Sequence, residues 1–246
     1  MHGITDLSPG LNLTGQASPH HRGRTAAIAF ITGVALAVAL PGCDGSMGGD
    51  EAHSINGSVH VSAGKPTGSA GTVNGSIRID DNAAVTGAAT VNGSIHLGAH
   101  AAAESLKTVN GGITLDKGAH VAHDVESVNG AISLNDEAEV SGAVANVDGE
   151  IALTAAHVAG GIRTVNGGIK IMGESHVEGG ILVKKPSGSW IHLGTDVLRV
   201  VIGPGAVVQG ELRFEREVRF YVSDRATIGT VTGATAVPFT GDTPPG

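Results

Sequence analysis

The chain has 246 residues, of which 39 are glycine and only six aromatic; 15% are charged and the net charge is −8. A hydrophobic content of 41% excludes a disordered polyelectrolyte, and the single cysteine excludes a disulfide scaffold or a paired-cysteine metal site. The acidic balance argues against nucleic acid as a partner.

The first element is a leader. Ala26–Leu40 is a 15-residue run without charge, preceded by Arg22 and Arg24. A positive region, a short apolar core and a small-residue end describe a secretory signal, and the run is short for a permanent membrane span, which takes about 20 residues. It ends Leu40-Pro41-Gly42-Cys43, on the only cysteine of the chain. This resembles the lipobox of bacterial lipoproteins, with Pro41 standing where that family usually has a small residue. The resemblance implies lipidation at Cys43, which would tether the chain rather than thread it. Each buried methylene of an acyl chain contributes about 0.8 kcal/mol. Asp44 resembles the inner-membrane retention signal of enteric bacteria, and the expected address is the periplasmic side of either the inner or the outer membrane. Residues 1–42 are read as signal peptide and 43–54 as a flexible tether.

From residue 55 a motif recurs: Ile55-Asn56-Gly57, then Val-Asn-Gly at 73, 91, 109 and 128, Val147-Asp148-Gly149, and Val165-Asn166-Gly167. Its spacing is 18, 18, 18, 19, 19 and 18 residues. Each copy continues into an alternating triplet such as Ile77-Arg78-Ile79 or Ile113-Thr114-Leu115, the mark of a strand with one buried face. A second aliphatic position follows in most copies (Val85, Val121, Val140, Val158, Val177), after turn residues such as Asp80-Asp81-Asn82. The second arm runs almost directly into the next Val-Asn-Gly, leaving no room for a hairpin reversal. The chain therefore bends, and Gly75, Asp81, Gly87 and Gly93, six residues apart, mark a triangular turn. The expectation is an all-β, single-stranded parallel β-solenoid of about 18 residues per coil, nine or ten coils long, over residues 55–183 and the divergent segment behind them. A narrow coil of Val, Ile, Ala and Gly also explains the missing aromatics.

The repeated VNGSIRI, VNGSIHL and VNGGITL segments resemble the adhesin-like β-strand-repeat proteins of bacteria. They are more loosely similar to the bactofilins, triangular β-helices that polymerise end to end. The first resemblance implies an envelope structural or adhesin-like role without catalytic residues, and the second a self-assembling rod.

Residues 184–246 form the divergent end. Residues 44–183 carry a net charge of −10, while 184–225 carry +2, and five of the six aromatics lie beyond residue 184. Leu212, Phe214, Val218, Phe220 and Val222 fit alternating strands whose large side chains close the core as a cap. The terminal Thr-Pro-Pro-Gly is expected to be disordered.

Candidate chemistry is sparse. Aligning GAHA, GAHV, EAEV, AAHV and ESHV places His100, His120, Glu139, His157 and His176 in one outward column, with imidazoles and a carboxylate about 4.8 Å apart. Such a column could hold zinc or copper, form a pH-sensitive stripe, or be a solvated face. Asn56, Asn74, Asn92, Asn110, Asn129, Asp148 and Asn166 form a second column, suited to a hydrogen-bonded ladder. There is no GxSxG elbow, phosphate-binding loop or HExxH. No long insertion is expected, and no cofactor is called for. The expected partners are the membrane through Cys43, an envelope protein or polysaccharide, and a second copy through the solenoid ends.

Overall fold

Every strand pairing among the described residues is parallel, because each turn of chain lands one rung above the last in the same direction. The computed structural model describes residues 50–64, 67–186 and 197–245. Among these there is no helix; 26 strands form a ten-strand sheet and a sixteen-strand sheet. The ten-strand sheet takes one short strand from each coil, beginning with Val59–Val61, Ile77–Ile79 and Ile95–Leu97 and ending with Ala236–Phe239. Ten coils at about 4.8 Å per step make a rod about 43 Å long. The fold is the parallel β-solenoid that the 18-residue repeat requires.

The sixteen-strand sheet shows how the cross-section develops. In the early coils one long strand, such as Ala84–Asn92 or Ala102–Asn110, covers the remaining perimeter. From the next coil onward it splits, first into His120–Val121 and Val125–Asn129, then into Glu139–Val140 and Ala143–Asp148. The triangular section is thus fully formed only after the fourth coil.

Stacking in register turns each sequence position into a column. Ile77, Ile95, Ile113, Ile132 and Ile151 are paired in succession and fully buried, as are Ile79, Leu97, Leu115, Leu134 and Leu153. Each such side chain contributes about 1.5–3 kcal/mol on leaving water.

Two corners are set by different backbone demands. At the Val-Asn-Gly corner a Cβ on Gly93 would collide with the Gly75 carbonyl oxygen, and one on Gly111 with that of Gly93. Only glycine lets the rungs close here. At the Asp-Asp-Asn corner the chain turns through a left-handed residue in every coil from Asn82 (φ 59°) through His100 (55°), Gly118 (65°) and Glu137 (60°) to Ala155 (48°).

One boundary differs from expectation. The first strand is Asp50–Asn56, paired with Thr67–Asn74, so the solenoid begins inside the stretch read as tether. As its aliphatic alternation predicts, the divergent segment continues the coils: Ile169 pairs with Val200, Val200 with Phe220, and Phe220 with Ala236. The step from Ile169 to Val200 spans 31 residues, so one coil does carry an insertion, contrary to the uniform repeat expected. Its residues 187–196, including Trp190, lie outside the described residues, as do the leader and Cys43. Phe214 and Phe220 are buried with ring centroids 4.9 Å apart, and Phe239 is buried in the last coil. Aromatics thus fill the end of the core.

Gly111→Ala should lower stability by about 2–3 kcal/mol in a denaturant melt, since the clash is with backbone that cannot rotate away. Glu104→Ala, at an exposed position, should change it by less than about 0.5 kcal/mol.

Candidate functional site

The surface chemistry of a solenoid is a set of columns, and the structure assigns each candidate residue to one. His120, Glu139, His157 and His176 are successive register partners and form an outward row. His100 does not belong to it. The partner of His120 in the coil below is Ala102, and His100 sits two positions earlier, at the left-handed corner, with its imidazole over Gly118. The local likeness of GAHA to GAHV misaligned it by one strand alternation, which preserves the in–out pattern but not the position.

Within the row, contacts run pairwise along the rod. His120 Nδ1 lies 3.5 Å from Glu139 Oε2, His157 Nδ1 3.9 Å from Glu139 Oε1, and His157 Nε2 3.1 Å from Glu178 Oε1. The rings of His157 and His176 meet edge-on at 5.6 Å. Among the described residues no three His, Cys, Asp or Glu side chains converge as a metal ion requires. The same pairing recurs on the ten-strand face, with His60 2.7 Å from Asp80 and His96 3.0 Å from Asp116. Such exposed pairs contribute at most about 1 kcal/mol each.

The asparagine column is a hydrogen-bonded ladder over its first five members. Asn74 Nδ2 donates to Asn56 Oδ1 (2.9 Å), Asn92 to Asn74 (2.8 Å), Asn110 to Asn92 (2.9 Å) and Asn129 to Asn110 (3.0 Å). Asp148 has no amide to donate; its carboxylate accepts instead from the N–H of Gly149. Asn166 is taken up by Arg216, whose Nη1 donates to its Oδ1 at 2.8 Å and to the Val165 carbonyl at 3.1 Å.

A third column escaped sequence reasoning. Two residues before Asn74, Asn92, Asn110 and Asn129 stands a buried hydroxyl, and Thr72, Thr90, Thr108 and Ser127 donate to the carbonyls of Gly57, Gly75, Gly93 and Gly111 in the preceding coil at 2.9–3.1 Å. The signal in the sequence is Thr-Val-Asn-Gly, in which a polar residue takes the inward position that aliphatic alternation alone does not mark. Asn146 replaces the hydroxyl in the next coil. It donates to Gly149 O within its own coil at 2.7 Å, leaving its buried Oδ1 without a partner.

Two lysines are tuned by their surroundings. A hydrogen bond and charge attraction from Glu137 raise the pKa of Lys117, whereas desolvation, with Arg163 adding repulsion, lowers that of Lys184.

No family model, curated protein or solved structure matches this chain.

Thr108→Val should cost about 1–3 kcal/mol by stranding the Gly93 carbonyl, and Thr108→Ser should recover most of it; paired denaturant melts measure both.

Proposed function

We propose that this chain is a lipid-anchored, non-catalytic rod of the bacterial cell envelope, structural or adhesin-like, held to a membrane through Cys43. The observation that carries the reading is the use made of polar side chains along the repeat. Asparagine amides, buried hydroxyls and histidine–carboxylate pairs all link one coil to the next instead of converging on a reacting centre. Such an arrangement invests in length and stiffness and displays a periodic surface. The leader ending on a sole cysteine supplies the anchor in this reading.

Self-assembly into filaments through the ends is the second reading, favoured by the first coil, where, among the described residues, Asp50–Asn56 and Val59–Val61 each have a partner strand on one side only. The opposite end supports the monomeric rod. Its last strand contains Pro238, which has no N–H to offer a further strand, and the chain then folds back over the side of the rod.

Cys43→Ser should shift the protein from the membrane to the soluble fraction and abolish acyl-chain labelling; unchanged fractionation would remove the anchor from the proposal. Light scattering on residues 44–246 should give a monodisperse particle, and filaments would favour the second reading.

A further inference from the structure

The outer side of the ten-strand face changes character towards its C-terminal end. In the middle coils its outward column is small and uncharged, with Thr114, Ser133 and Ala152. The next positions are Lys170, Val201 and Tyr221, flanked by Arg199 and its register partner Arg219. This cationic and apolar patch stands on a rod whose preceding coils are acidic.

The chain's end covers the patch. Arg225 Nη2 holds Asp242 Oδ1 at 2.9 Å, and Arg199 Nη2 donates to the Pro245 carbonyl at 3.0 Å. The tail is therefore held at two points and runs back across the strands. Between it and the sheet lies a groove of about 290 Å³, lined among others by Glu150, Lys170, Met172, Arg199, Thr243 and Pro244. Its size is near the lower end of small-molecule sites, which start at about 300 Å³.

The polar groups of the groove are not consumed by the fold. The Lys170 ammonium and the Glu150 carboxylate have no hydrogen-bond or ion-pair partner among the described residues. Arg199 is oriented by the Pro245 carbonyl and by the Tyr221 ring, 5.1 Å from its guanidinium carbon, and only one of its nitrogens is engaged. Two cations facing one carboxylate select a ligand with a single negative charge. Glu150 repels a multiply charged phosphate or sulfate, and a neutral zwitterion leaves one cation unmatched. Glu150 and the Thr243 hydroxyl can accept hydrogen bonds from ligand hydroxyls, while Met172 and Pro244 offer apolar walls to a ring's C–H face.

We propose that this strap-covered groove binds one hexuronate unit of an acidic saccharide, its carboxylate between Lys170 and Arg199 and its hydroxyls towards Glu150 and Thr243. The tail closes over the bound ring, and an extended saccharide leaves the groove along the rod.

Calorimetric titration of the full chain in detergent with digalacturonate tests this, with the methyl ester of the same sugar as a matched neutral probe. Saturable binding of the acid but not of the ester is expected. Lys170→Gln, an exposed change that leaves the core untouched, should weaken it about tenfold, as loss of a charge-assisted bond does. Lys107→Gln, on another side of the rod, should leave it unchanged. No saturable binding, equal binding of acid and ester, tighter binding of inorganic phosphate, or unaltered affinity in Lys170→Gln would each overturn the assignment.

Discussion

Close backbone approach at the Val-Asn-Gly corner is the constraint from which the rest follows. Each glycine carbonyl points at the α-carbon of the glycine one coil above, with no space for a side chain between them. Holding that distance keeps the rungs in register, so that one position of the repeat always meets itself. Apolar positions then stack into a continuous core, and polar positions into ladders. The close approach also creates a debt, because those carbonyls are hidden from water and must find a donor. The inward Thr and Ser hydroxyls meet it from the coil above.

This logic explains what could be read directly from the residues. A period of 18 repeated with so little drift specifies coil, core columns and the surface row that includes Asn74, Asn92 and Asn110, because identical neighbours at fixed spacing need identical surroundings. It also explains the misplacement of His100. Alternation has a period of two, so a slip of two residues keeps the same inward and outward pattern; the 18-residue step, which carries His100 to Gly118, and the backbone, with φ at 55°, place His100 at a corner. The hydroxyl column is illegible for a related reason. A buried Thr is indistinguishable in sequence from a surface Thr until its acceptor is known.

The C-terminal end was least legible, and for a different cause. The 31-residue step before Val200 breaks the period on which the reading depended. The tail has no periodicity at all, and its position comes from Arg225 and Arg199, 17 and 46 residues away from the groups they hold. Contacts of that kind carry no local signature. The groove they build is accordingly visible only in three dimensions, although each of its charged residues is plain in the sequence.

The substitutions at Asn146 and Asp148 have a mechanical consequence. On the N-terminal side, neighbouring coils are stitched by an amide on the outside and a hydroxyl on the inside of the same corner. Between the coils of Gly130 and Gly149 both stitches are missing: Asn146 turns to its own coil, and Asp148 cannot donate. In a linear array each interface breaks according to its own strength. Neither stitch returns in the next coil, where Thr164 accepts from the N–H of Gly167 and Asn166 is held by Arg216; under tension along the axis the coils up to Gly130 are therefore tied by these two stitches, and those beyond it are not.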